Sequence, residues 1–223
     1  AADTRKSGVA AAQLRELYVE AMLKYAKEKN WPPIVDVFHP LADLQKNGQR
    51  DDDKYTILKD KIHLTDPAYI AWGYFLYQGL NPVNMDSSAV LNADGTAASG
   101  KRCTISDMKA TEAGLSFTRQ DDVLPILPPG TLPPRKHVPL EKWSAYIFQI
   151  NGLAKANYEI RCEGKLLGTT SAEALGKGVN LNTLLLDGNK TAPWDALARQ
   201  LWDGKGLDQV GKTRWRFEVS KVK

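Results

Sequence analysis

The sequence predicts an α/β fold followed by a smaller β-rich region, and three observations carry this prediction. An amphipathic helical pattern, a short β-branched run and a strongly apolar helical run follow one another in the first 80 residues. Such alternation is typical of an α/β domain with a parallel sheet. From about residue 84 onward the apolar runs are short and separated by glycine-containing turns, which favours β structure. We therefore expect domains over residues 1–82 and 83–223.

Composition is that of an ordinary soluble globular protein, with 43% hydrophobic and 25% charged residues among 223. The net charge is +4, and the lysines and arginines are spread along the chain. Without a basic stripe, we expect no nucleic-acid partner. No apolar run approaches the roughly 20 residues that a membrane-spanning helix needs, so we expect no membrane span. The first residues also lack the apolar core of a signal peptide, and this end fits a cut end.

The first predicted elements are a helix and a strand. Apolar residues spaced by three and four predict an amphipathic helix over residues 9–29. Two prolines, Pro32 and Pro33, break the chain after it. The β-branched run from Ile34 to Phe38 then predicts a short buried strand. We assign His39, which follows that strand, a structural role.

A long polar segment, residues 42–61, comes next and predicts a loop. It contains three neighbouring acids, Asp51 to Asp53, which raise the alternative of a cation site. Adjacent carboxylates do not converge on one ion without a turn and further oxygen ligands. We therefore interpret the segment as a solvated, charged loop.

The most informative stretch is a polar turn that leads into an apolar helix. Asp60 and His63 stand on the turn, three residues apart. Thr65 or Asp66 can cap the helix that follows. The run over residues 68–80 is so apolar that we expect this helix to be buried on most sides. A carboxylate and an imidazole at the start of a rigid helix are well placed for acid–base chemistry.

This pattern, Asp60-x-x-His63 running into Pro67 and a long apolar helix, resembles the last sequence block of SGNH (GDSL-type) hydrolases. The resemblance implies the C-terminal portion of a flavodoxin-like three-layer α/β domain and the activity of a serine esterase that uses no cofactor. It also implies that His63 is the general base toward a serine and that Asp60 orients the imidazole. The physical reason is that an acceptor at one ring nitrogen fixes the tautomer that faces the nucleophile. The implied substrate is a small ester or an acylated carbohydrate.

Other blocks of that family are absent. The sequence has neither a Gly-Asp-Ser nucleophile block nor the Gly and Gly-x-Asn-Asp blocks that build the oxyanion hole. Ser7 is the only serine before His63, and no predicted strand precedes it to present its hydroxyl. One strand and two helices also cannot form a covered parallel sheet. We therefore expect an N-terminal polypeptide segment outside this chain to carry the serine and the oxyanion hole.

Two alternatives stay open. In the first, the chain is a non-catalytic accessory or ligand-binding module, and the Asp-x-x-His pair is a relic that serves only the helix start. In the second, His63 binds a metal together with Asp60 and Asp66, although no second cluster of ligands accompanies them in the sequence.

The β-rich region contains a proline-rich segment over residues 124–139, which fits either a linker or a strap across the first domain. Its glycine-punctuated strands loosely resemble the tail that follows the Asp-x-x-His helix in some bacterial SGNH hydrolases. The two cysteines, Cys103 and Cys162, fit either two buried thiols or one disulfide. We expect the disulfide, and with it a secreted or periplasmic protein.

Overall fold

The fold is mixed α/β. The computed structural model describes residues 4–32, 34–60, 62–80, 86–96, 98–123, 132–188 and 191–222. In these residues the backbone forms six α-helices and nine β-strands, which belong to two sheets. The chain divides into two compact units, Ala1–Pro82 with Lys136–Val138, and Val83–Arg135 with Pro139–Lys223. No helix in the described residues is long and apolar enough to cross a lipid bilayer.

The first unit contains three helices, α1 (Thr4–Glu28), α2 (Phe38–Asp51) and α3 (Asp66–Leu80). Between α2 and α3 the chain makes one isolated antiparallel bridge, from Leu58 to Leu64. Among the described residues of this unit, no extended strand is present. The parallel sheet that we expected in residues 1–82 is therefore not formed by these residues.

The predicted strand from Ile34 to Phe38 is wrong. Residues 34–37 are irregular, and α2 begins at Phe38. The cause is local: the Asp36 carboxylate accepts hydrogen bonds from the backbone N–H groups of Phe38 and His39, at 3.0 and 3.1 Å. These bonds satisfy donors at the helix start, which favours the helix over an extended chain that lacks a neighbouring strand.

The predicted loop over residues 42–61 is also wrong in its first half, because α2 extends to Asp51. The buried positions Leu41, Leu44 and Gly48 share one face of this otherwise polar helix. The first residue of the acidic run Asp51 to Asp53 has hydrogen-bond partners. Asp51 accepts hydrogen bonds from Lys136 Nζ at 3.0 Å and from His137 Nε2 at 2.8 Å.

Helix α3 is less buried than the sequence predicts. One face, with Ala68, Ile70, Ala71 and Tyr74, is buried. The opposite face exposes Tyr69, Trp72 and Leu80, with 52%, 39% and 63% of their surface accessible. The cap is as expected, since Thr65 Oγ1 accepts the backbone N–H of Ala68 at 3.4 Å.

Helix α1 is present where the sequence predicts a helix, but its apolar face is uncovered. Leu14, Leu17 and Tyr18 are about two-thirds exposed, at 68%, 65% and 67%. Met22 and Tyr25 continue the same exposed stripe. An exposed apolar stripe of this kind is typical of a surface that binds another protein, a membrane or a ligand.

The second unit is built from two sheets that share one apolar core. The four-stranded sheet has the order β2-β1-β5-β8, with β1 and β5 parallel, and the five-stranded antiparallel sheet has the order β3-β4-β9-β6-β7. The strands are β1 (Ser87–Asn92), β2 (Ala98–Lys101), β3 (Cys103–Thr111), β4 (Gly114–Asp121), β5 (Tyr146–Asn151), β6 (Asn157–Cys162), β7 (Lys165–Ser171), β8 (Val179–Asn180) and β9 (Arg214–Lys221). Three short helices complete the unit, α4 (Ala172–Lys177), α5 (Leu181–Asp187) and α6 (Asp195–Trp202).

Alternating burial along the strands positions this core, as expected for sheets with one buried face. Phe117 of β4, Phe148 of β5 and Phe217 of β9 meet at its centre, with ring centroids 4.7 to 5.5 Å apart. Such aromatic pairs bind the two sheets together beyond the area they bury.

An ionic network lies inside the same core. Arg119 and Asp121 form a salt bridge of 2.9 Å, and their side chains are 0% and 2% exposed. The Arg119 guanidinium also donates to Ser87 Oγ at 2.6 Å and to the Ile147 carbonyl at 3.1 Å. Asp121 accepts further bonds from the hydroxyls of Ser87 and Tyr146. Every charged group of this network is therefore paired, which a buried charge requires.

The predicted disulfide between Cys103 and Cys162 is wrong, because both cysteines are free thiols. Cys103 begins β3 and Cys162 ends β6, and β4 and β9 lie between these strands. Three strand spacings separate β3 from β6 by about 14 Å. A disulfide needs Cα atoms within about 7 Å.

The proline-rich segment over residues 124–139 is described in part, and residues 124–131 lie outside the described residues. Lys136 and His137, near its end, bond to Asp51 of α2, and Lys136–Val138 belong to the first unit. This contact is that of a strap rather than of a free linker.

Substitution of Arg119 tests the network. Arg119→Met should lower the free energy of unfolding of the second unit by about 3–5 kcal/mol, because it leaves the Asp121 carboxylate buried without its cation. Urea unfolding followed by near-ultraviolet circular dichroism measures the loss. The control is Lys177→Met, which removes the exposed pair with Glu173 and should leave the unfolding curve nearly unchanged. Equal losses in the two variants would contradict a structural role for the network.

Candidate functional site

The turn that carries Asp60 and His63 is closed by backbone hydrogen bonds. Beside the bridge from Leu58 to Leu64, the Lys59 N–H donates to the His63 carbonyl at 2.8 Å. The Thr65 N–H donates to the Ile57 carbonyl at 2.9 Å. The pair thus stands at the tip of a short closed loop directly before α3. Lys61, which lies between Asp60 and His63 in the sequence, is outside the described residues.

Helix α2 holds the base of this loop. Gln45 Oε1 accepts the backbone N–H of Ile57 at 2.8 Å, and Gln45 Nε2 donates to the Tyr55 carbonyl at 3.1 Å. The Tyr55 ring lies against Gly48, where an added Cβ would collide with it. One amide side chain and one glycine therefore fix the loop on the helix.

The Asp60 carboxylate fixes the His63 ring. Its Oδ1 accepts the backbone N–H groups of His63 at 2.8 Å and of Ile62 at 3.2 Å. Its Oδ2 lies 2.8 Å from His63 Nδ1. The backbone bond from His63, followed by the ring bond, lowers the pKa of Asp60 below its ordinary value of 3.8. The carboxylate is therefore ionised when it holds the ring.

The arrangement leaves the other ring nitrogen available. The side chains of His63 and Asp60 are 66% and 53% exposed. Among the described residues, no side chain bonds to His63 Nε2. A neutral imidazole held at Nδ1 by a carboxylate has the tautomer that accepts a proton at Nε2. The turn can therefore act as a general base toward a group brought to it.

Sequence reasoning missed a second turn of the same geometry. The Asp36 Oδ2 atom lies 2.6 Å from His39 Nδ1, while Oδ1 accepts two backbone N–H groups of the same turn. The available signal was the spacing itself, since Asp36-x-x-His39 repeats the Asp60-x-x-His63 pattern before a helix. The two turns differ at Nε2, because in His39 this atom lies 4.0 Å from Glu20 Oε1 of α1.

The chain has three histidines, and each contacts an aspartate. His137 differs because its Nε2, not its Nδ1, faces the carboxylate of Asp51. Of the three, His63 alone combines a held Nδ1 with an Nε2 that faces no carboxylate among the described residues.

The structure brings neither a serine nor a set of metal ligands to His63. In the part of the chain that is described, no serine side chain bonds to the ring. Ser7 lies within α1 and therefore not at a strand-to-helix turn of the kind that exposes a nucleophile. No group of three His, Cys, Asp or Glu side chains among the described residues could hold a metal ion. His63, Asp60 and Asp66 are not such a group in the described part of the chain.

Comparison with known proteins supports the fold. No family model and no curated protein matches the sequence. A solved structure described as "a gut microbial diltiazem-metabolizing enzyme" is similar to 84% of this chain, with a TM-score of 0.67 and 21% sequence identity. The chain spans 44% of the length of that protein. At this identity the likeness shows a shared mixed α/β fold, and membership of the SGNH family is not established by it.

Titration of Asp60 tests the geometry of the turn. In His63→Ala the pKa of Asp60 should rise, because the ring bond is lost, but it should stay below 3.8 because the backbone bonds remain. Because the pKa of Asp60 is lowered in the folded protein, the hydrogen bonds of the turn stabilise the fold at pH values above the unfolded-state pKa. This stabilisation is lost as the pH falls through the folded-state pKa. Carboxyl NMR signals followed from about pH 6 to pH 2 measure it.

The internal control is Asp94, whose lowered pKa comes from hydrogen bonds with Thr96 and should not change. An Asp60 pKa that is identical in wild type and His63→Ala would show that the ring does not contact the carboxylate in solution.

Proposed function

We propose that this chain supplies the base and its orienting acid to a serine ester hydrolase, with His63 as the base and Asp60 as the acid. The observation that carries the proposal is the 2.8 Å contact between His63 Nδ1 and Asp60 Oδ2, with the opposite edge of the ring open. This is the arrangement of base and acid in Ser-His-Asp catalysis.

The chemistry follows from that geometry. A serine hydroxyl next to Nε2 gives its proton to His63 as its oxygen attacks the ester carbonyl. The imidazolium, stabilised by Asp60, returns the proton to the leaving alcohol, and an acyl-serine remains. A water molecule, deprotonated by the same nitrogen, then releases the acid and restores the serine. The oxyanion of each tetrahedral intermediate needs separate hydrogen-bond donors.

The serine and those donors belong, in this proposal, to an N-terminal polypeptide segment outside residues 1–223. With that segment, residues 1–82 form the C-terminal portion of a flavodoxin-like three-layer domain of the SGNH type, and residues 83–223 form an accessory region. The exposed apolar faces of α1 and α3 support the proposal, because both offer uncovered Leu, Tyr and Trp side chains to another layer.

The substrate class is a small ester or an acylated carbohydrate such as an acetyl sugar, acted on outside the cytoplasm. An enzyme with the same fold supports a catalytic role at the coarse level, and its name reports metabolism of diltiazem. The ester class rests on the sequence resemblance, whereas the predicted disulfide that suggested a secreted location is not formed.

A second candidate is a non-catalytic accessory or ligand-binding module. The turn at Asp36 and His39 favours it, because there the same geometry starts helix α2 beside a carboxylate. The motif can therefore serve a helix start alone. The two candidates make opposite forecasts for turnover.

Turnover of a small acetyl ester separates them. In the protein purified from its native source with all its segments, His63→Ala should reduce kcat by on the order of 10⁴–10⁶, as loss of the base does in a serine hydrolase. Asp60→Asn should cost less if backbone carbonyls also hold the ring. Steady-state hydrolysis of p-nitrophenyl acetate, and disappearance of diltiazem as a second probe, give the rates.

The comparison variant is His39→Ala, which removes the equivalent imidazole of the first turn. If His39→Ala rather than His63→Ala abolishes turnover, the base is misassigned. If both variants hydrolyse the ester as fast as wild type, neither turn is catalytic and the accessory-module candidate stands. Circular dichroism of each variant shows whether a lost rate reflects lost folding.

The exposed apolar stripe of α1 can be tested separately as the surface that binds the serine-bearing segment. Leu17→Lys places a charge on the exposed stripe of α1, so the chain should fold normally but bind the serine-bearing segment at least about tenfold more weakly. Size-exclusion chromatography with mass spectrometry of the complex measures binding. Lys27→Ala, at an exposed position on the same helix but off the apolar stripe, is the matched control. Equal binding by the two variants would place the partner elsewhere.

A further inference from the structure

Helix α1 is held to the rest of the first unit by few side chains. Among its described side chains, over positions 13–28, Ala26 is the one that is fully buried. Near the end of the helix Tyr25 packs edge-on against Trp31, with ring centroids 5.5 Å apart, and the Trp31 N–H donates to the Ala26 carbonyl. Farther up the helix, on the same side, Val19 and Leu23 are only partly buried. A contact farther up the helix therefore has a large effect on its position.

His39 makes such a contact. Its Nδ1 lies 2.6 Å from Asp36 Oδ2, and its Nε2 lies 4.0 Å from Glu20 Oε1 in the middle of α1. Asp36 is in turn fixed by two backbone N–H groups at the start of α2. The imidazole thus lies between a carboxylate of the α2 turn and a carboxylate of α1. The charged groups that face it are Asp36, Glu20 and Glu16.

Protonation decides what the ring can do in this position. An imidazolium donates from both nitrogens, so it can bond Asp36 and attract Glu20 at once. A neutral ring that keeps its proton on Nδ1 for Asp36 presents a lone pair at Nε2, which offers Glu20 nothing. The attraction between His39 Nε2 and Glu20 therefore exists only when the imidazole is protonated.

We propose that His39 is a pH-dependent clasp that fixes helix α1 to the start of α2 when its imidazole is protonated, and releases Glu20 when it is not. The clasp does not depend on the proposed esterase activity. If the esterase proposal also holds, the clasp acts on the helix that carries the exposed apolar stripe.

The directions of the pKa shifts of His39 and Asp36 agree with this proposal. The hydrogen bond with Asp36 raises the pKa of His39 above 6.5, and the charges of Asp36, Glu20 and Glu16 add to it, against the effect of burial. Burial would raise the pKa of Asp36, but hydrogen bonds from His39 outweigh it and lower that pKa below 3.8. A group whose pKa is raised by folding stabilises the folded state at pH values below its unfolded-state pKa. That stabilisation is lost as the pH rises through the folded-state pKa. The clasp is therefore closed in mild acid and opens above pH 6.5.

Amide hydrogen exchange of α1 tests the proposal in the full chain without substrate, so its outcome is separate from the esterase test. After correction for intrinsic exchange, wild-type protection of α1 should fall about two- to five-fold between about pH 5.5 and 8.5, the range expected for a partly exposed ion pair. In Glu20→Ala this fall should vanish. The matched control is Glu28→Ala, which removes the exposed pair with Lys24 on the same helix and should retain the fall.

The His39 ring signals give a second readout. Glu20→Ala should lower the pKa of His39 in an NMR titration, and Glu28→Ala should not. A wild-type helix whose protection does not change with pH, or a Glu20→Ala variant with the same pH dependence and the same His39 titration as wild type, would overturn the clasp.

Discussion

The second unit depends on one buried ion pair. Arg119 stands on β4, while Ser87 and the Ile147 carbonyl belong to β1 and β5 of the other sheet. The guanidinium also lies 3.8 Å from the centroid of the Tyr146 ring. Burying a charge costs several kcal/mol and is tolerated only when every donor finds a partner. Since these partners come from both sheets, the network allows one alignment of the sheets, whereas an all-apolar core would tolerate several.

The first unit uses a different device. Two of its turns place an aspartate three residues before a histidine, and in each the carboxylate accepts backbone N–H groups through one oxygen and the ring through the other. The local sequence therefore dictates the hydrogen bond in both turns. What differs is the surroundings of Nε2, which lies near Glu20 in His39 but has no side-chain partner among the described residues in His63. The same motif gives an ion-pair clasp in one turn and a candidate base in the other.

Sequence patterns predicted the parts of this fold whose partners lie close in the chain. The helix predicted over residues 9–29 and the β-rich character predicted from about residue 84 onward are confirmed in α1 and in β1 to β9. The strand from Ile34 to Phe38 was wrong, since a β-branched run needs a neighbouring strand that its own pattern cannot reveal. The disulfide was wrong for the same reason, because strand order decides the distance between Cys103 and Cys162. The contact between Asp60 and His63 follows from spacing and is present, while their catalytic role stays a prediction.

In the proposed enzyme, the exposed His63 turn and the exposed faces of α1 and α3 would be covered by the same additional segment. An imidazole that is 66% exposed is surrounded by water, and electrostatic catalysis gains most when water is excluded. A segment that delivered a serine to Nε2 would also have to cover the turn. Tyr69 and Trp72 lie in the first two turns of α3, just past that turn, so a layer seated on them extends naturally over it. Under this proposal, burial of these aromatic side chains would provide binding energy, and the same contact would exclude water from His63.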